Sequence, residues 1–345
     1  MSPTAVPPPE EARMTDTAAP ARGQIPETTT ETDGKGGFSR QTNAFTTPFG
    51  DGPGELPVEA GRYRLIAALI CPWAHRQLIV REVLGLQDAI SVGIVNPRRD
   101  ERGWNFSLDE GGVDPVLGIE FLMDAYRAAD PDYDRRATVP AVVDVTTGKV
   151  VTNDYHHLST QFETAWRPLH APDAPDLYPE ELRDEIDELS TWLFDTVNNG
   201  VYKCGFATGQ EAYDAACDAL FAGLDELEER LATRRFLFGD HITDADVRLY
   251  VTLARFDAAY YGGFKANRQR LVDFEHLWAY ARDLYQTPGF GSTTDFQAIK
   301  EGYFGSKGVT SAYGIIPKGP DQSGWDAPHG REALSATPQE RFRRR

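Results

Sequence analysis

Cys71 stands in "LIAALICPWAHRQLIV", residues 65–80, where an apolar run ends on the cysteine, a proline follows and the pattern turns helical. A thiol at a strand-to-helix junction faces unpaired backbone N–H groups and the positive end of the helix dipole. Such surroundings lower a cysteine pKa from ~8.5 into the range ~3.5–7.5. His75 and Arg76, one turn further on, are expected to add positive potential. Pro72 suits the first helical position because it has no amide proton to leave unpaired. The pattern predicts a nucleophile at Cys71. The plainer alternative is a buried cysteine that ends a strand.

The second question is what a single thiol can do. A dithiol oxidoreductase needs Cys-x-x-Cys, so that the second sulfur resolves the mixed disulfide. Residues 71–74 are Cys-Pro-Trp-Ala, and the other two cysteines, Cys204 and Cys217, are remote in sequence. Cys71 can attack a sulfur and hold the adduct, but a second thiol must arrive from solution. Cys204, two residues after Tyr202, is the alternative resolving thiol, weighed against simple packing near a domain junction.

The elements around Cys71 follow an α/β order. "YRLIAALI" reads as a buried strand and "RQLIVREVLGL" as an amphipathic helix closing at Gly85. "AISVGIV" is a second strand, and "TVPAVVDVTTGKVVTN" reads as two strands joined by a turn at Thr146–Gly148. A helix is expected from near Asn153. This is the order of a thioredoxin-like domain, in which the Val139–Pro140 bond is expected to be cis.

After "RPLHAPDAPDLYPEE" the strand signals stop. Leu182, Ile186, Leu189, Leu193 and Val197 mark one helix. Tyr213, Cys217, Leu220, Leu224, Leu227 and Leu231 mark the next, placing Cys217 on a core stripe. Thr243 with Asp246 forms a capping-box start, and "LVDFEHLWAYARDLYQTPGF" is a helix stopped at Pro288. The predicted division is a disordered leader over 1–35, a thioredoxin-like domain with an N-terminal extension over 36–170, an all-α domain over 176–304 and a C-terminal extension over 305–345.

Composition narrows the function. There are 53 acidic and 35 basic residues, a formal charge of −18, so nothing resembles a nucleic-acid footprint. The terminal "RFRRR" is expected to be a solvated tail. Leu65–Ala74 is about half of the ~20 apolar residues that cross a membrane, and the N-terminus has no apolar signal core. Three sparse cysteines fit a reducing compartment, so a soluble, cytoplasmic protein is expected. The seven histidines show no metal spacing. His156 and His157, if helical, diverge by about 100°. No metal is expected, and "GGVDPVLG" lacks the phosphate-loop context.

Taken together, "CPWAHR", "TVPAV", "VNNGVYKCGFA", "TDADVRLY", "GGFKAN", "LWAYARDLYQTPG" and "IIPKGP…PHGRE" resemble the glutathionyl-hydroquinone reductases, the xi class of glutathione transferases, from about Gly36 to Arg331. The resemblance implies a thioredoxin-like N-terminal domain, a glutathione-transferase helical domain and a homodimer. It implies an enzyme that uses a small thiol to reduce S-glutathionyl-hydroquinones. By the same resemblance Cys71 is the catalytic cysteine, and Tyr202 and Tyr303 lie beside the aromatic substrate. Trp104, Val139 and Pro140 would flank the thiol peptide.

One motif departs from the family. Where its members have Asn-Glu-Ser to hold the γ-glutamyl end of glutathione, this chain has "TNDYHH". Asp154 then stands for the acid and Tyr155 for the serine. The shorter acid can still pair with an ammonium group. The tyrosine loses a small hydroxyl and adds bulk. Glutathione and another low-molecular-weight thiol, such as mycothiol, both stay open as cosubstrate. A thiol transferase that forms thioethers on quinones, or a non-catalytic binding module on the same scaffold, are the competing functions.

Overall fold

A computed structural model describes residues 32–308 and 310–344. The leader expected over 1–35 lies, except for residues 32–35, outside the described residues.

The first strand, β1 (Tyr63–Ala67), is buried at all five positions. Its side chains are apolar but for Tyr63 and Arg64, and the buried Arg64 is paired with Asp114 at 2.8 Å. It leads to α1 (Pro72–Val83), β2 (Ile90–Ile94), α2 (Leu122–Ala129), β3 (Ala141–Asp144), β4 (Lys149–Thr152) and α3 (Leu158–Glu163). The strand order is β2-β1-β3-β4, with β2 parallel and β3 antiparallel to β1. Leu65 lies level with Val92 on one side and Val142 on the other.

The edge at β4 is covered by the extension that precedes β1. Phe45 pairs through its backbone with Asn153, and Thr46 bridges Thr152. This removes an open strand edge and lays residues 38–43 across the end of the sheet. Phe49 anchors the far end against Tyr63 and Trp166, edge to face.

The helix after β4 begins at Leu158, later than the sequence pattern indicates. The Asp154 carboxylate accepts the N–H of His156 and the ring Nδ1 of His157, an Asx-type turn that competes with helix formation. His157 is therefore the cap of α3 and His156 precedes it, so the pair does not sit within a helix.

The remaining elements are helical: α4 (Arg183–Leu193), α5 (Gly200–Phe206), α6 (Gln210–Leu231), α7 (Asp244–Arg255), α8 (Tyr261–Gly263), α9 (Glu275–Tyr285) and α10 (Phe296–Phe304). Thr243 and Asp246 form the capping box of α7. Two π turns interrupt the helices, Phe194–Asn198 before α5 and Phe256–Tyr260 after α7. Each rotates the residues beyond it, and such insertions recur at functional sites.

The C-terminal segment is not the solvated tail expected. Asp283 is fully buried, and its carboxylate needs cations around it. Arg235 from the body and Arg341 from the tail supply them at 2.7 and 3.0 Å. The carbonyls of Arg341 and Arg343 accept backbone N–H groups from Ile242 and Asp176, which strap the end of the chain to the helical domain. No helix among the described residues is long and apolar enough to cross a membrane.

Candidate active site

Cys71 is the cap residue of α1, in extended backbone conformation, with Pro72 at the first helical position. Its sulfur accepts the Ala74 N–H at 3.5 Å, the contact a helix N-terminus offers. Its S–H donates to the carbonyl oxygen of Val139 at 3.3 Å. The Val139–Pro140 peptide is cis.

The electrostatics at the sulfur correct the sequence-based expectation. Burial pushes the Cys71 thiol up, while the Ala74 N–H, the Arg255 guanidinium, the Trp73 N–H and Arg40 pull it down. Desolvation outweighs them, so the unliganded protein holds a thiol rather than a depressed thiolate. Cys71 is nevertheless part-exposed on the floor of a cleft.

The expected tuning by His75 also fails. Its Nδ1 accepts from Arg255 at 3.0 Å, which leaves Nε2 as the donor to Thr293 Oγ1 at 3.0 Å. Burial and the adjacent Arg255 hold its pKa well below the usual histidine value, so it carries no charge at neutral pH. Arg76 is fully buried, and burial pulls its pKa down to about 9, which keeps it cationic at neutral pH. Its guanidinium lies over the Trp73 ring at 4.7 Å and donates to Asn198 at 3.0 Å. It therefore joins α1 to the turn before α5.

Arg76 acts on Cys71 through space, as expected, but the larger cationic influences come from elsewhere in the chain. Arg255, at the end of α7, donates to the carbonyls of Ile70 and Leu69 at 2.7 and 2.9 Å. It thereby ties the loop before Cys71 to the helical domain. Arg40, from the N-terminal extension, lies among three rings, Tyr202 at 4.5 Å and Phe38 and Trp73 at 5.0 Å each. Its Nε donates to Asn199 at 3.0 Å. Neither residue carried a local sequence signal, since each reaches the site only through tertiary packing.

The cleft has a volume of about 470 Å³, and Cys71, Trp104, Val139, Tyr155, Tyr202 and Tyr303 all line it. Asp154 lies just behind that wall. It accepts from Asn43, a cleft residue, at 3.2 Å, and from His157 at 2.8 Å. Burial alone would raise its pKa, but the two contacts from His157 and the His156 N–H hold it below the usual range. The Tyr155 ring packs 5.2 Å from Trp73 and 4.2 Å from His156.

Across the cleft, the Tyr202 hydroxyl meets that of Tyr303 at 2.7 Å, and Tyr303 meets Tyr260 at 3.0 Å. Tyr260, on the second π turn, was not singled out in the sequence. Burial raises all three phenols, so each is neutral and able to donate.

Cys204 is buried outside the cleft lining, where burial pushes its thiol up to about 12 and Cys217 is its neighbour. That placement removes the resolving role weighed for it. Cys217 is half-buried rather than enclosed in the core. Among the described residues no group of acidic, histidine or cysteine side chains is arranged to hold a metal.

A small mixed sheet with a cysteine capping its first helix, closed by an all-helical second half, is the architecture of a cysteine-type glutathione transferase. The family model of the glutathione S-transferase C-terminal domain matches residues 210–283. The glutathionyl-hydroquinone reductase YqjG of Escherichia coli is 43% identical over 88% of this chain and 94% of its own. A solved glutathione transferase from Gordonia bronchialis is 57% identical, covering 81% of this chain and 87% of its own, with a TM-score of 0.79. The glutathione-bound structure of the E. coli protein covers 82% and 92% of the two chains at 44% identity and a TM-score of 0.77. The chain belongs to the glutathionyl-hydroquinone reductases, the xi class of glutathione transferases.

Proposed function

We propose that the protein is a thiol-dependent reductase that removes a thiol group from S-conjugated hydroquinones through a mixed disulfide on Cys71. The observation that carries this reading is one cleft in which a lone cysteine faces paired tyrosine hydroxyls, with no second cysteine in its lining. Such a site suits attack on sulfur with proton delivery to a ring, and it requires an external thiol to finish.

In the first step the Cys71 thiolate attacks the thioether sulfur of the adduct. The new bond joins the two sulfurs, and the bond from sulfur to the ring carbon breaks. Its electron pair goes to the ring, which enters as a ketone tautomer so that the charge falls on oxygen rather than on a bare aryl carbanion. Tyr202 and Tyr303 hydrogen-bond the ring oxygens and move the proton that restores the hydroquinone. A second thiol then attacks the mixed disulfide, releases a low-molecular-weight disulfide and frees Cys71. The net reaction consumes one adduct and one thiol and yields one hydroquinone and one disulfide.

The thiol-binding contacts assigned to Trp104, Val139 and Pro140 supply a way to generate the thiolate. A thiol peptide bonded to the Val139 backbone competes with Cys71 for the Val139 carbonyl. Loss of that acceptor destabilises the neutral S–H and leaves the Ala74 N–H, which favours the anion. Replacement of Cys71 by Ser is expected to abolish hydroquinone release from S-glutathionyl-hydroquinone, followed by chromatography. Near-normal turnover by the serine variant would sink the scheme. Formation of a thioether from a quinone and a thiol, with none broken, would favour the transferase alternative.

Glutathione as cosubstrate is supported by the glutathione-bound relative. A different small thiol is favoured by a specific contact: the Asp154 carboxylate is already engaged by His157 and Asn43, and Tyr155 adds a ring where the family has a serine. Measuring the same reduction with glutathione and with mycothiol decides it, because saturation by sub-millimolar glutathione removes the second thiol. The reading also includes a homodimer acting in the cytoplasm, checked by solution mass and by fractionation.

A further inference from the structure

The pair of cleft tyrosines continues inward to a third hydroxyl. Tyr303 lies between Tyr202 at 2.7 Å and Tyr260 at 3.0 Å. Three phenols carry three protons, and two of them are spent on the two internal bonds. The third must point out of one end of the chain.

The two ends differ. Tyr202 lines the cleft, where an incoming ring oxygen or water can accept. Tyr260 is fully buried, with the Phe264 ring stacked at 5.0 Å, and its hydroxyl interacts with those of Tyr303 and, beyond it, Tyr202. A proton turned away from the other two tyrosines at Tyr260 would point into apolar packing, and an unmet donor in a buried place is costly. The cation at the inner end favours this direction. Arg255 acts on Tyr260 and Tyr303, at the inner end, while Cys71 and Arg40 act on Tyr202. A cation at the inner end turns the O–H dipoles so that their hydrogens point away from it, towards the cleft.

We propose that Tyr260 is a positioning residue that fixes the direction of this hydrogen-bond chain, so that Tyr202 gives its proton to the substrate ring and Tyr303 backs it. The inference rests on the reductase reading above and adds which tyrosine is the donor and what aligns it. The step balances: the ring carbon or oxygen gains the Tyr202 proton, and the Tyr202 phenolate is held by the Tyr303 O–H, which Tyr260 in turn polarises. The thiol that resolves the mixed disulfide returns a proton to Tyr202. Burial raises all three phenols, while Arg40 and the neighbouring tyrosine hydroxyls act on Tyr202 in favour of its anion.

The test compares the full-length wild type with Tyr260→Phe, Tyr303→Phe and the double variant, on S-glutathionyl-hydroquinone with saturating thiol. Tyr260→Phe keeps the ring and is expected to lower kcat about tenfold, the effect of one lost hydrogen bond to a developing charge, with KM for the thiol unchanged. Because Tyr260 acts through Tyr303, the double variant is expected to match Tyr303→Phe alone. Fluorotyrosine incorporated at position 260, a stronger donor of nearly the same shape, is expected to retain or exceed wild-type kcat, and it carries the test if the Phe variant does not fold.

Equal kcat for the wild type and Tyr260→Phe overturns the inference and leaves the reductase reading standing. Additive losses in the double variant also overturn it, by assigning Tyr260 an independent role. A wild type that releases no hydroquinone at all overturns both.

Discussion

The Cys71 S–H donates to the Val139 carbonyl at 3.3 Å, so the residue expected to react, whose pKa burial raises, is also hydrogen-bonded to the same backbone that the thiol peptide is proposed to use. The helix N-terminus is present, as the Ala74 N–H at 3.5 Å shows, but it does not outweigh burial. The proposed nucleophile and the proposed thiol-binding backbone thus share one carbonyl oxygen.

That coupling predicts a ligand-dependent titration. Followed by thiolate absorbance near ~240 nm, Cys71 of the unliganded protein is expected to ionise above the ordinary cysteine value of ~8.5. Saturation with S-methylglutathione, which cannot itself be oxidised to a disulfide, is expected to lower the midpoint. The variant pair Cys204→Ser and Cys217→Ser isolates the Cys71 signal. An unchanged midpoint on binding counts against displacement from Val139.

His75 predicts an acid-sensitive fold. Its pKa is depressed by burial and by Arg255, whereas the unfolded chain has the ordinary value of ~6.5. The unfolded state then binds more protons below that value, so the stabilising effect of neutral His75 is intact above it and is lost as pH falls. Between pH 6.5 and 5 the loss is expected to reach about 2 kcal/mol. Urea unfolding of wild type and His75→Gln at both pH values checks it: the variant should lose less stability on acidification, although it is less stable at neutral pH.

The turn at Asp154 predicts a change of thiol preference. Asp154→Glu combined with Tyr155→Ser restores the acid length and the small hydroxyl of the family motif. This double variant is expected to lower KM for glutathione about fivefold or more, with kcat little changed, because contacts remote from the reacting sulfur hold ground and transition states equally. Asp154→Ala should raise KM for whichever thiol is native. Steady-state kinetics with each thiol separates the two, and an unaltered preference removes Asp154 and Tyr155 from thiol selection.

Much of this site was legible in the chain because its signals are local. A proline after a cysteine at the end of an apolar run sets a cap, and Ala74 in place of a cysteine excludes a dithiol route, whatever surrounds them. Apolar spacing likewise marks the strands and most helices, since period and backbone geometry are the same physical fact. The helix α3 starts later than the pattern indicates because the Asp154 side chain takes up the His156 backbone N–H and the His157 ring in a turn of its own.

Charge and proton placement were decided by tertiary structure alone. His75 looks like a cation in sequence and is neutral in the fold, because the neighbour that matters is Arg255, 180 residues away. The cations near the sulfur, Arg40 and Arg255, arrive from the N-terminal extension and from α7. Tyr260 joins Tyr202 and Tyr303 only because a π turn ends on it and a later helix, α10, carries Tyr303 alongside. Electrostatic and hydrogen-bond energies depend on distance and desolvation, and a linear sequence contains neither until the chain has folded.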